Sequence, residues 1–334
     1  MSKRLILVLA LVLVAGFACA AYAEVQNVKV SGDLNIMGVN RNLTLQDQKN
    51  NTSSSSFAAS IARVKIDADL TDNVGTTVRL LNERYWGRET ENAGTSGVNT
   101  DIVLDLAYVT LKEFLYSPLT LTLGRQEFHF GNDMIVGDYD TNNQATAASP
   151  FGGIANDPDL SARKAFDGVR ATLNYDPLVI DAVWAKVTEG AKNVNNDYVS
   201  LMGINAGYKL GDRKYAKNSL IEAYWFAKNT GRKADTLNIS AGSFYKNDRI
   251  NTIGARLSTQ PIENLTYQLE SAYQFGRFVP TAIQADNPAV DRKAWALETS
   301  LNYLFKKVKY TPSATIGYAF FEGAKNTYTT RSGH

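Results

Sequence analysis

Leu265-Thr266-Tyr267-Gln268-Leu269-Glu270-Ser271-Ala272-Tyr273-Gln274-Phe275 sets large apolar side chains at 265, 267, 269, 273 and 275 against polar ones at 266, 268, 270 and 274. Successive side chains of an extended chain point to opposite faces, so this stretch reads as a strand with one apolar and one polar face. The same period of two returns in Trp295, Leu297, Leu301, Tyr303 and Phe305, which oppose Ala294, Ala296, Glu298, Ser300 and Asn302. It returns again where Ala62, Val64, Ile66, Ala68 and Leu70 oppose Arg63, Lys65, Asp67 and Asp69.

Outward from these runs the pattern predicts about thirteen strands, starting near Val28, Phe57, Gly75, Asp101, Leu119, Phe166, Leu178, Tyr198, Ser219, Ile250, Leu265, Arg292 and Pro312. Turn-forming residues join each even strand to the next odd one: Thr71-Asp72-Asn73, Tyr116-Ser117-Pro118, Asp176-Pro177, Gly211-Asp212-Arg213, Gln260-Pro261 and Lys306-Lys307. Long polar stretches fill the other connections: Asn42 to Ser56, Gly87 to Thr100, Gly131 to Ala165, Thr188 to Asp197, Asn229 to Arg249 and Phe278 to Asp291. A soluble sandwich has no reason to place every long loop at one end, whereas an outer-membrane barrel has short periplasmic turns and long external loops. The fold class expected is therefore all-β, a transmembrane antiparallel up-and-down β-barrel. Tyr175, Trp184, Tyr208, Trp225, Tyr267, Tyr273, Trp295, Tyr303, Phe305, Tyr310 and Phe320 are the candidates for its interfacial girdles. Leu265, Tyr267, Leu269, Trp295, Leu297 and Leu301 are expected to face lipid, and Gln268, Glu270, Glu298 and Asn302 the interior.

The N-terminus agrees with export. Lys3 and Arg4 precede the apolar run Leu5 to Phe17, and Ala21-Tyr22-Ala23 fits a small-x-small cleavage site, which divides the chain into a signal peptide, 1–23, and a barrel, 24–334. The apolar run falls short of the roughly 20 residues of a membrane span. Cys19, the one cysteine, lies inside the signal segment, so the mature chain holds no disulfide. Removing Lys3 and Arg4 leaves 33 basic against 33 acidic residues, and no nucleic-acid footprint is visible. The partners this implies are membrane lipid, lipopolysaccharide and a solute; the location is the outer membrane; the oligomeric state stays open.

Two segments resemble the signatures of the alginate-export family of outer-membrane porins. They are Leu123-Gly124-Arg125-Gln126-Glu127-Phe128-His129-Phe130-Gly131, followed by Ile135-Val136-Gly137, and Phe166-Asp167-Gly168-Val169-Arg170. The strand around Leu104-Asp105-Leu106-Ala107-Tyr108-Val109 is similar to the one preceding them in that family. The resemblance implies a barrel of about eighteen strands passing an anionic polysaccharide or another solute. The residues expected to line the pore are Arg63, Lys65, Arg79, Glu83, Arg125, Glu127, Arg170, Glu270 and Glu298. Arg79, Glu83, Arg125, Glu127 and Arg170 are expected to form a charged constriction, where guanidinium groups hold sugar carboxylates bidentately. Because Leu119, Leu121 and Leu123 share the parity of Arg125, Glu127 and His129, either a bulge near Gly124 switches the faces or the leucines point inward. Across the whole candidate lumen, acids balance bases, which favours neutral or mixed solutes beside anionic ones.

An enzyme is not expected, since His129 and His334 are the only histidines and neither has Ser and Asp companions at a catalytic spacing. No cofactor is implied. Asn132, Asp133, Asp138, Asp140 and Asn142 lack calcium-loop spacing and read as a solvated loop rather than a metal site. The segment Gly131 to Ala165 has the length of a loop that folds into a pore. A barrel that displays loops without conducting solute is the alternative function. Finally, odd strands run outward, so the thirteenth, Pro312 to Phe321, ends outside, whereas single-chain bacterial barrels normally have an even count. The chain thus reads as C-terminally incomplete, with thirteen strands of a probable eighteen. An uncounted strand at Thr236 to Tyr245 is the other reading.

Overall fold

The alternating runs become thirteen strands in the structure, a computed structural model describing residues 27–44, 52–87, 102–137, 160–163, 165–188, 199–211, 216–231, 248–278 and 290–322. They are β1 (Asn27–Thr44), β2 (Thr52–Thr71), β3 (Val74–Tyr85), β4 (Ile102–Leu111), β5 (Leu119–Glu127), β6 (Ala165–Asn174), β7 (Leu178–Thr188), β8 (Val199–Lys209), β9 (Lys217–Thr230), β10 (Asp248–Ile262), β11 (Leu265–Phe278), β12 (Val290–Leu304) and β13 (Ser313–Phe321). Each lies beside the next in sequence, antiparallel and up-and-down. The shortest, β5 and β13, have 9 residues, enough for a tilted strand to cross a hydrocarbon core. Among the described residues β1 pairs with β2 alone and β13 with β12 alone. The signal segment 1–23 and the stretches 236–245 and 323–334 lie outside the described residues.

Two boundaries differ from the pattern, each for a physical reason. The described part of Asn42 to Ser56, expected as a loop, is strand, because β1 runs to Thr44 and pairs in register with Thr52 at the start of β2. Ser53 to Ser56 have no apolar alternation to reveal them, yet ladder hydrogen bonds need only backbone. The turn expected at Gln260-Pro261 falls instead at Glu263-Asn264, with Asn264 at a φ of 66°. Pro261 is absorbed inside β10 at the register shift between Thr259 and Ile262, a position that spares the ladder the donor proline lacks.

Contacts gather into two compact units. In the one built on β1–β4, Ala59, Ile61, Leu81, Tyr85 and Ala162 form a buried cluster against Met37, Phe57, Val103 and Leu160. In the one built on β6–β13, the cluster is Phe128, Phe130, Val136, Phe166, Val183, Ala185, Leu201, Tyr224, Phe226 and Ala272.

Both units are inverted relative to a soluble sheet. Glu83 and Asp105 are buried in the first, and Asp181, Asn205, Glu222 and Glu270 in the second, while Leu34, Ile66 and Leu104, or Trp184, Ile204, Tyr273 and Trp295, stand exposed. Along β8, Leu201, Gly203, Asn205 and Gly207 are buried but Ile204 and Tyr208 are exposed. Large apolar side chains facing away from all protein fit a hydrocarbon surround, and the ladders between successive strands pair the backbone groups of the inner strands. Of the orientation expected for β11 and β12, Glu270 is fully buried and Trp295 and Leu301 are exposed, whereas Leu265, Tyr267, Leu269 and Leu297 are half-buried, as are Gln268, Glu298 and Asn302.

Ile204, central in β8 and outward, provides the check. Ile204→Arg should lower folding stability in bilayers by about 2–4 kcal/mol, measured by equilibrium unfolding, whereas Ile204→Phe should change it by less than about 1 kcal/mol because lipid accommodates the larger ring. A large loss for Phe would mean that Ile204 packs against protein.

Candidate functional site

The polar face of β8–β12 is organised by register. Across one row, Gly207 pairs with Glu222, Glu222 with Arg256, Arg256 with Glu270, and Glu270 with Glu298. One guanidinium therefore stands between carboxylates, and Arg256 Nη1 donates to Glu222 Oε2. In the next rows, small residues sit beside large rings. A Cβ on Gly254 would collide with the ring of Tyr224, and one on Gly203 with the ring of Phe226. Glycine at these two positions lets both aromatic side chains lie across the neighbouring strand, and Tyr224 thereby brings its hydroxyl to Glu270 Oε1 at 2.7 Å.

The chain beyond β5 turns onto this face. Phe128 stacks on Phe166 at 5.2 Å, Phe130 rests on Phe226 at 5.2 Å, and an isolated bridge joins Phe130 to Val136. At the turn, Gly131 has a φ of 66° and no room for a side chain, since its Cβ would lie 2.5 Å from Glu270 Oε1. The next amide, Asn132 N–H, donates to Glu270 Oε2 at 2.6 Å, and Asn132 Oδ1 accepts from Arg256 Nε at 2.5 Å. The expectation of a solvated loop is thus corrected for Asn132, which is tied to the inner face; Asp138, Asp140 and Asn142 lie outside the described residues. Arg170 closes the other side, donating from Nε to Asp181 Oδ1 at 2.8 Å with its guanidinium 5.5 Å from the Phe130 ring centroid.

In the unit built on β1–β4, Asp105 is the organising group. The β3–β4 register slips between Arg79 and Leu80, so that Arg79 pairs with Leu106 and Leu80 with Leu104. Asp105 is the extra residue of this bulge, and its Oδ2 accepts from Arg79 Nε at 2.6 Å while its backbone carbonyl accepts from Arg125 Nε at 3.1 Å. Gly124 has a φ of 122°, and a Cβ there would strike the Ala107 carbonyl and Tyr108 Cα. Glu83 is buried, accepts from Ser161 Oγ and from Ala162 N–H at 2.6 Å, and is ion-paired with Arg163, whose Nε lies 3.2 Å from Oε2. Both described ends of the long connection, 128–137 and 160–163, are therefore fastened to buried carboxylates.

Of the residues expected to line a pore, Arg79 and Arg125 meet at Asp105, while Glu83 holds 161–163 instead. Glu127 lies 3.8 Å from His129, Arg170 joins Asp181, and Glu270 and Glu298 stand opposite each other. Arg63 pairs with Asp33 at 2.9 Å, and Lys65 with Asp67 at 3.0 Å, both partly exposed. In the first signature the buried side chains beyond Gly124 are Gln126, Phe128 and Phe130, the parity opposite to that of Arg125, Glu127 and His129. Sequence reasoning missed Asp105, Asp181, Tyr224 and Asn132 as partners. Asp105 and Asp181 each had a signal, a charge standing in an otherwise apolar run of its strand.

A sheet of successive antiparallel strands that turns its apolar side chains out and pairs its charges within is the wall of an outer-membrane β-barrel protein. The profile of the alginate export family matches residues 38–333, and the chain belongs to that family. It is accordingly an outer-membrane protein of the porin and export-channel type. The fold is also similar to OmpT, an outer membrane protein of Vibrio cholerae in its trimer form, at 12% identity and TM-score 0.41, covering 89% of this chain and 90% of that one. OccAB1 of Acinetobacter baumannii gives 12%, 0.46, 90% and 83%. A BenF-like porin from Pseudomonas fluorescens gives 10%, 0.48, 88% and 83%. No curated protein matches the chain.

His129 stands beyond the end of β5, and its imidazole is held above the ordinary value of 6.5, first by its hydrogen bond to Glu127 and then by Asp133, while burial opposes both. A raised value means that the protonated ring stabilises this segment at pH below the ordinary value. That contribution is lost as pH rises through the raised one. Amide protection factors across 130–137 should fall over that window in the wild-type chain and stay flat in His129→Gln. An equal fall in both would remove His129 from the account.

Proposed function

We propose that the channel passes a hydrophilic solute passively, and that its charged substrates are anionic oligo- or polysaccharides of the alginate type. The observation that carries this reading is the convergence of two guanidinium groups, Arg79 and Arg125, on the single residue Asp105. Two guanidinium groups gathered at one residue can meet an anionic solute together, while Arg170 stands with Asp181 and Arg256 with Glu222. Uronate carboxylates suit such a site, because a guanidinium presents paired donors matched to their geometry. The otherwise balanced charge argues for modest selectivity, with neutral sugars passing as well. The signal peptide 1–23, the contacts with lipid and lipopolysaccharide, and the wider pore-lining set Arg63, Lys65, Glu83, Glu127, Arg170, Glu270 and Glu298 belong to the same proposal. A non-conducting barrel is the second reading, favoured by the packing of Phe128–Gly137 on the inner face.

Reversal potentials in planar bilayers test this proposal. A unit charge about 8 Å from a permeating ion in a water-like medium is worth ~0.5 kcal/mol, so Arg125→Gln should lower the anion-to-cation permeability ratio about twofold. Arg125→Lys should preserve it. An unchanged ratio in Arg125→Gln would remove the anionic solute, and a folded, silent wild-type barrel would favour the second reading.

A further inference from the structure

We infer that the outward face of β10–β12, at the end bearing the long connections, is a seat for lipopolysaccharide, with Arg249, Arg277 and Lys293 on the phosphates of its headgroup. The inference rests on the proposal that lipopolysaccharide is a lipid partner, and names where it binds. Register gathers the three cations. Arg249 stands opposite Arg277 and Arg277 opposite Asp291, while Lys293 stands opposite Phe275 in the adjoining row. Arg249, Arg277, Asp291 and Lys293 are exposed and share the parity of the exposed Ile253, Tyr273 and Trp295, opposite to that of the buried Glu270, Ala272 and Ala294. Gly276 tightens the arrangement: at a φ of 134° it lies so close to β10 that a Cβ there would strike the Arg249 carbonyl.

A row of large side chains fixes the depth. Trp225, Ile253, Tyr273 and Trp295 lie side by side across β9–β12, and tryptophan and tyrosine rings settle at the boundary between hydrocarbon and headgroups. Lys293 stands beyond that row by roughly 7 Å along its strand, and Arg249 and Arg277 by roughly 13 Å, at a rise of about 3.3 Å per residue. They lie toward the long connections and away from the turn at Asn264, which is the external side of an outer-membrane barrel. The cations are thus level with the headgroups of the outer leaflet, whose glycolipid carries phosphates, and the exposed Ile253, Tyr273 and Phe275 are placed to meet its acyl chains. Two guanidinium groups directly opposite each other repel, and Asp291 offsets only one charge of the three. A phosphate between them turns that repulsion into attraction, because each guanidinium presents paired donors to its oxygens.

The test titrates the full chain, folded in neutral-detergent micelles at low salt, with fluorescently labelled lipopolysaccharide and with the same glycolipid stripped of its phosphates. Each cation lost at an anionic membrane surface weakens binding about fivefold, so Arg249→Gln should raise the Kd about fivefold and Arg249→Gln with Arg277→Gln about twentyfold. Arg249→Lys with Arg277→Lys should keep most of the affinity. Lys306→Gln with Lys307→Gln, in the turn before β13, removes the same charge elsewhere and should leave the Kd unchanged. The stripped glycolipid should bind every chain weakly and alike. Should the double glutamine variant not fold, Lys293→Gln carries the test, with a rise of about fivefold. Equal affinity of the wild type and the folded variants for lipopolysaccharide overturns the site and leaves lipopolysaccharide a partner. A wild type without affinity for lipopolysaccharide overturns both. Equal competition by phosphatidylglycerol or inorganic phosphate, matched in phosphate concentration, would make this a general anion site and overturn the assignment to lipopolysaccharide.

Discussion

Hydrocarbon offers no hydrogen bonds, and that single constraint organises the chain. Backbone N–H and C=O groups placed in lipid must find partners within the protein, which antiparallel pairing of successive strands provides. With side chains alternating at a period of two, apolar residues on one face dictate that the other face, bearing Glu83, Asp105, Asp181, Glu222 and Glu270, turns inward. Most of those groups are found beside a guanidinium: Arg79 with Asp105, Arg163 with Glu83, Arg170 with Asp181 and Arg256 with Glu222.

The inward side is crowded as well as charged. Gly203 and Gly254 leave space beside Phe226 and Tyr224, and the same rings supply a surface on which Phe128 and Phe130 settle. The family signature thereby acquires a physical meaning. Gly124 allows close approach to β4, Phe128 and Phe130 dock, Gly131 makes room for Glu270, and Phe166 and Arg170 of the second signature meet the phenylalanines of the first. Sequence order and spatial contact coincide there because both signatures border one long connection.

The fold was largely legible because strand alternation is a local property. Thirteen strands and the alternation of short turns with long connections follow from period and turn residues alone. Boundaries failed where chemistry is silent, as in Ser53 to Ser56, or where a rule has an exception, as at Pro261 beside a register shift. The site was legible only as a face. Which carboxylate each arginine meets depends on register between strands, and a slip such as the one at Asp105 leaves only a faint mark in sequence. The contact between Asn132 and Glu270 spans 138 positions, beyond the reach of any local pattern.

The central claim is that the polar face is inward and wet while the apolar face meets lipid. Its most direct measurement is labelling by a membrane-impermeant, water-soluble thiol reagent of single cysteines placed in a chain whose only cysteine is Cys19. In intact outer membranes, Gln268→Cys and Asn302→Cys should react, and Tyr273→Cys and Leu301→Cys should remain unlabelled until the membrane is dissolved. Rapid labelling at Tyr273 and Leu301, with Gln268 and Asn302 protected, would contradict the account.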